Sequence, residues 1–185
     1  MKNTLKNMVL SLLGVTFVTS ACVAMVQKIT ADPIAAAQLA ATEAALTMVL
    51  PEFDSNKMKS TTVNNLPIDI YTAKKDGEVV GYAVKSMTKS GYAGVITVMV
   101  GISPEGELIN VNVLSHSETP GLGSHLTDPD NVVLASIKGK KIADVDLRVT
   151  KDGGEVDALS GATISSRAYI DAIVRAYEAV KSKLK

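Results

Sequence analysis

From Met8 to Val26 the chain reads MVLSLLGVTFVTSACVAMV without one charged side chain. A helix needs about 20 apolar residues to cross a bilayer core, so this segment is expected to span a membrane. Lys2 and Lys6 precede it and Lys28 follows. The more basic short flank stays in the cytoplasm, which would put the bulk of a single-pass cell-membrane protein on the extracytoplasmic side. Two other readings stand beside this one: a cleaved signal peptide, and a lipoprotein signal in which Thr19-Ser20-Ala21 lead to a lipidated Cys22. The apolar run continues past Cys22 to Val26, beyond the roughly 7–15 residues of a usual signal core, which favours a retained span. Next, Ala31-Asp32-Pro33 supplies a cap and a proline at a first helical position. The Ala-rich stretch after it predicts a helix from Pro33 to Leu50, with Leu39, Leu46, Met48 and Val49 as its apolar stripe and Pro51 as its stop.

Residues 55–67 mix Ser, Asn, Lys and Thr and read as a loop or weak strand. From Ile68 the period changes to two. Ile68–Ala73 alternates, Lys75-Asp76-Gly77-Glu78 makes a hairpin turn, and Val79–Met87 returns as its partner. Gly91-Tyr92-Ala93-Gly94 leads into the β-branched run Val95–Ile102, Ser103–Glu107 turns, and Leu108–Leu114 alternates again. A loop bearing Glu118 to Gly123 follows the last of these strands. Asp128–Lys141 reads as a short helix and a lysine-rich turn, Ile142–Val149 as a further strand, and Ile164–Lys181 as a closing helix. In that helix Ile164, Ala168, Ala172, Ile173 and Val174 fall near one stripe. The expected fold class is α+β: an N-terminal transmembrane helix, then an antiparallel twisted sheet with flanking helices. The expected organisation is residues 1–30 as cytoplasmic stub and span, and residues 31–185 as one extracytoplasmic domain.

Composition narrows the function. Nineteen basic and nineteen acidic side chains cancel, and Trp is absent. There is neither a basic surplus nor a set of stacking aromatics to suggest nucleic acid as a partner. A single cysteine allows no disulfide within the chain and no iron–sulfur or structural zinc spacing, so electrons passing through this protein would need an organic cofactor. His116 and His125 lack the i, i+4 spacing of a helical zinc pair and read as ordinary surface histidines. Lys138, Lys140 and Lys141 read as a solvated face. No Ser-His-Asp set, paired carboxylates or Gly-x-Ser-x-Gly elbow stands at an interpretable spacing, and no independent catalysis is expected.

The chemistry concentrates near the C-terminus, in Asp157-Ala158-Leu159-Ser160-Gly161-Ala162-Thr163-Ile164-Ser165-Ser166. Three small residues bring a threonine to the mouth of the last helix, where unpaired amides and the helix dipole favour an anion such as phosphate. A plain N-cap, worth roughly 1 kcal/mol, fits the same residue types. A second segment, His116-Ser117-Glu118-Thr119-Pro120-Gly121-Leu122-Gly123, joins polar side chains to two glycines that would let backbone approach a flat ligand.

Together these two motifs, in this order, resemble the FMN-binding domain of the G subunit of Rnf-type electron-transport complexes. The C subunit of sodium-pumping NADH:quinone reductase is related, although this chain is short for that group. The resemblance covers nearly the whole chain. It implies FMN joined through its phosphate to Thr163 by a separate flavin transferase, with Ser160, Gly161 and Ala162 as the small approach residues and Ser165 as a retained hydroxyl where Thr is at least as common. It further implies that Glu118, Thr119, Gly121 and Leu122 lie at or near the flavin. The function implied is that of an electron-carrying subunit, partnered by the other subunits of a membrane complex that couples electron transfer between ferredoxin and NAD to ion translocation. A C-type quinone-reductase subunit and an exported binding module or lipoprotein without flavin remain the alternatives.

Overall fold

The computed structural model describes residues 2–184. It contains a long helix α1 (Lys2–Val49), five strands β1 (Ser55–Val63), β2 (Leu66–Lys75), β3 (Glu78–Thr88), β4 (Ile96–Ile102) and β5 (Leu108–Ser115), a short helix α2 (Val132–Ile137) and the closing helix α3 (Thr163–Val180). Its contacts divide the chain into two units, Met1–Ala41 and Thr42–Lys185.

In the first unit, α1 runs without interruption through Pro33, where the sequence predicted a new helix. A proline removes one helical N–H and crowds the carbonyl four residues back. Here the alanine-rich run that follows, a strong helix former, carries the helix onward. The hydroxyls of Thr16, Thr19 and Thr30 donate to the carbonyls of Leu12, Val15 and Val26 at 2.8, 2.9 and 2.9 Å. These hydroxyls are thereby satisfied within the helix, as a lipid environment favours. This helix is long and apolar enough to cross a membrane.

In the second unit the five strands form one antiparallel sheet in sequence order. The hairpin at Asp76-Gly77 has φ of 52° and 86°, the pair of positive values that a type I′ turn requires. Asn64-Asn65, with φ of 49° and 61°, repeats it. That second turn pairs Val63 with Leu66 and makes a full strand of Ser55–Val63, residues read from sequence as loop or weak strand. Their side chains are mostly exposed, so they carry no apolar alternation to betray a strand at the sheet edge.

All seven residues of β4 are buried because both faces of the sheet are covered. Ile96, Val98, Val100 and Ile102 join the core beneath Ala168, Tyr169, Ala172 and Ile173 of α3. On the other face Met99 packs with Ala45, Leu46, Val49 and Leu50 at the end of α1. Leu39 and Met48, predicted to share that stripe, are exposed. Gly101 lets the helix end approach: a Cβ there would stand 1.9 Å from the Val49 carbonyl oxygen.

The predicted strand Ile142–Val149 does not form. A 3₁₀ turn occupies Ile142–Asp144, and Val149 makes only a lone bridge to Val156. The edge of β5 near it is engaged by the turn above, since Leu108 N–H donates to Lys140 O and Gly139 N–H to Leu108 O at 3.0 and 2.8 Å. Asn131 caps α2 through Leu134 N–H at 3.0 Å. α3 starts one residue earlier than read, at Thr163, and Ile164 is exposed and off the buried stripe.

Candidate functional site

Two glycine turns meet beside the start of α3. In Thr119-Pro120-Gly121-Leu122 the Leu122 N–H donates to Thr119 O at 3.2 Å, and Gly121 has φ +74°. Leu159-Ser160-Gly161-Ala162 repeats the pattern, with Ala162 N–H on Leu159 O at 3.1 Å and φ +73° at Gly161. A positive φ at the third position is what a type II turn needs, and glycine supplies it without steric cost. The turns touch: a Cβ on Gly161 would lie 3.2 Å from Leu122 Cδ2. With the loop between β3 and β4 they enclose a cleft of about 450 Å³.

Tyr92, Leu122 and Ile164 line this cleft and are 69%, 44% and 47% exposed. Deeper in, Glu118 is only 4% exposed. A buried carboxylate is costly unless hydrogen-bonded. Glu118 accepts from Ala93 N–H at 3.1 Å through Oε1 and from the Ser165 hydroxyl through Oε2, while its own N–H donates to His116 Nδ1 at 3.1 Å. Two glycines make room for it. A Cβ at Gly91 would stand 2.7 Å from Oε1, and one at Gly123 would stand 2.7 Å from Oε2.

Thr163 is the first helical residue of α3, half-buried and on the cleft wall. Ala162 occupies the N-cap position, and no side chain caps this end. The reading of Thr163 as an ordinary cap is therefore replaced: its hydroxyl bonds to no amide of the first turn and instead accepts from Lys151 Nζ at 3.2 Å. Ser166 braces the turn from behind, accepting from Leu159 N–H and donating to Ala162 O, both at 3.0 Å.

Lys151 sits in a 3₁₀ turn, Thr150–Asp152. The neighbouring Asp152 receives Arg167 Nε and Nη2 of α3 at 2.7 and 2.8 Å. That hydrogen-bonded pair holds the Asp152 carboxyl below its ordinary value and the Arg167 guanidinium above its own. Arg148 is taken up by Asp146, whose carboxyl it lowers in the same way.

Of the residues singled out from sequence, Thr163, Ala162, Gly161, Ser165, Glu118, Thr119 and Leu122 all line the cleft, and Ser160 and Gly121 stand in the two turns. Gly121 has open space at its Cβ position, so the turn conformation is what calls for glycine there. His116 and His125 point to separate local partners, His125 to Asp128 at 2.8 Å. Sequence reasoning missed Tyr92, Ile164, Lys151 and Ser166. For Tyr92 a signal existed, an aromatic flanked by glycines at a strand end. For Lys151 there was none, because twelve residues and an irregular loop separate it from Thr163.

The volume falls in the range of small-molecule sites, about 300–1,000 Å³. Apolar walls, a polar floor and a hydroxyl beside a cation at the rim suit a flat, partly polar ring with a phosphate tail. Residues 91–178 match the family model described as the FMN-binding domain. Three relatives are each named as the G subunit of an ion-translocating oxidoreductase complex. That of Vibrio vulnificus is 32% identical, covering 91% of this chain and 88% of the relative. That of Haemophilus influenzae strain Rd is 37% identical over 77% and 74%, and that of Shewanella amazonensis is 31% identical over 94% and 86%. The fold and cleft thus define an FMN-binding domain behind a long apolar helix. The chain belongs to the G subunit family of ion-translocating oxidoreductase complexes.

Proposed function

We propose that this chain is an electron-carrying subunit of a membrane complex coupling electron transfer between ferredoxin and NAD to ion translocation, with FMN in the cleft joined by a phosphoester to Thr163. The observation that carries the reading is the Thr163 hydroxyl, which lies on the cleft wall at an uncapped helix start and faces a lysine. Amides and dipole at that position favour a phosphate. Bound FMN would supply the one- and two-electron redox chemistry of its ring, and the protein supplies position and electrostatics. Tyr92, Leu122 and Ile164 offer apolar surface to the ring, and Glu118 and Ser165 offer polar atoms at its edge.

The Thr163 hydroxyl meets a hydrogen-bond donor, not a base that could take its proton. This supports attachment by a separate flavin transferase. The names of the relatives support the other subunits of an oxidoreductase complex as partners, and favour a G-type subunit over a C-type one. The uncharged helical segment supports a single span, and Lys2 and Lys6 before it support a cytoplasmic N-terminus with the FMN domain on the extracytoplasmic side of the cell membrane. The balance of charges gives no support to nucleic acid as a partner.

Mass spectrometry of protein from cells with an active flavin transferase tests this. The peptide containing Thr163 should carry FMN, and Thr163→Ala should carry none while remaining folded. An unmodified wild-type peptide would refute covalent attachment and favour an exported binding module.

A further inference from the structure

The cation beside Thr163 is held there by construction. The turn carrying Lys151 is fastened to α3 by the two-point contact of Asp152 with Arg167, one helical turn after Thr163. It is tightened by Gly153, with φ +81°, and by Gly154, where a Cβ would stand 2.1 Å from the Arg148 carbonyl oxygen. The adjacent Asp152 is paired with Arg167, and Asp146 with Arg148. Among the described residues no ion pair within 4.0 Å includes Lys151. Its ammonium donates to a neutral hydroxyl at 3.2 Å.

We propose that Lys151 is the positioning residue for the flavin phosphate, a role that rests on the phosphoester reading of Thr163. Forming that ester from free FMN would require loss of water, so the donor must be an activated FMN, of which a flavin dinucleotide with a pyrophosphate linkage is the simplest class. The Thr163 oxygen forms a bond to the phosphorus bearing the riboflavin chain. The bond from that phosphorus to the bridging oxygen breaks, the nucleoside monophosphate leaves, and the hydroxyl proton passes to a base of the transferase. No electrons are exchanged. Negative charge accumulates on the phosphoryl oxygens during this displacement, and one negative charge remains on the finished diester. Lys151 meets that charge in both states with a charge-assisted hydrogen bond. Asp152 and Arg167 serve by holding the lysine in place.

Purified full-length chain, flavin transferase and flavin adenine dinucleotide provide the test, with the Thr163 peptide followed by mass over time. Lys151→Met should take up flavin at least about tenfold more slowly than wild type, the scale of one hydrogen bond to a charged group. Lys151→Arg should restore most of the rate, and the thermal midpoints of all three should agree, which separates positioning from misfolding. If Lys151→Met is modified as fast as wild type, the role of Lys151 is overturned and the phosphoester reading stands. If the wild-type chain acquires no covalent flavin, both fall.

Discussion

Glu118 and Ser165 carry the greatest local burden of any pair in the cleft. They lie forty-seven residues apart in sequence, are 4% and 2% exposed, and join the β5 loop to the first turn of α3. Removing one partner from a buried hydrogen bond leaves the other with its desolvation cost uncompensated, about 1–3 kcal/mol and more for a charged group. Ser165→Ala is therefore expected to lower stability by at least about 1 kcal/mol, read as a shift in urea midpoint at unchanged slope. Thr163 differs in kind. Its hydroxyl caps no amide, so Thr163→Ala should change the urea midpoint by less than about 0.5 kcal/mol in stability terms, as surface substitutions usually do. A loss of flavin in that variant would then be chemical in origin.

At the scale of elements, the end of α1 is seated on β4 through backbone contact. Gly101→Ala would place a methyl 1.9 Å from the Val49 carbonyl oxygen, and neither strand nor helix end can yield as a flexible side chain would. Overpacking of this kind costs about 1–3 kcal/mol. The thermal midpoint should fall accordingly, whereas Gly77→Asn, at an open hairpin position with φ +86°, should change it little. The loop before α3 is tied on by charge, which makes it acid-sensitive. Hydrogen bonding from Arg167 is the leading cause of the lowered Asp152 pKa, opposed by desolvation and aided by Coulomb attraction. A depressed carboxyl stabilises the fold fully above its unfolded value, about 3.8, and that contribution is lost as pH falls through the lower folded value. Melting curves taken from pH 6 downward should show wild type losing stability below about pH 4. Asp152→Asn should have a shallower decline over the same interval.

For the whole molecule the question is sidedness. Leu5, Leu10, Leu12, Val15, Phe17 and Val23 of α1 are all exposed, an apolar surface that water would not tolerate over such a length and that a bilayer would cover. With basic residues before the span, a reporter active only outside the cytoplasm should work when fused after Lys185. A charge-reversed N-terminus, Lys2→Glu with Lys6→Glu, should reduce that signal. Activity confined to a cytoplasmic reporter would reverse the proposed orientation.

The chain's local chemistry already specified much of this. The uncharged run at residues 8–26, the Asp76-Gly77 hairpin, the alternating strands and the two glycine-bearing motifs are legible because each depends on side chains adjacent in sequence, through periodicity or turn preference. The α+β class followed from them. Tertiary structure decided the rest. An exposed edge strand such as β1 leaves no apolar alternation and is fixed by pairing with β2, and Ile142–Val149 alternates yet settles into a 3₁₀ turn and a lone bridge to Val156. Only folding could bring Lys151 to Thr163, set Glu118 against Ser165 and gather Tyr92 and Leu122 into one cleft. Those contacts join segments separated by irregular loops, whose course depends on long-range packing and leaves no periodic signature in the sequence.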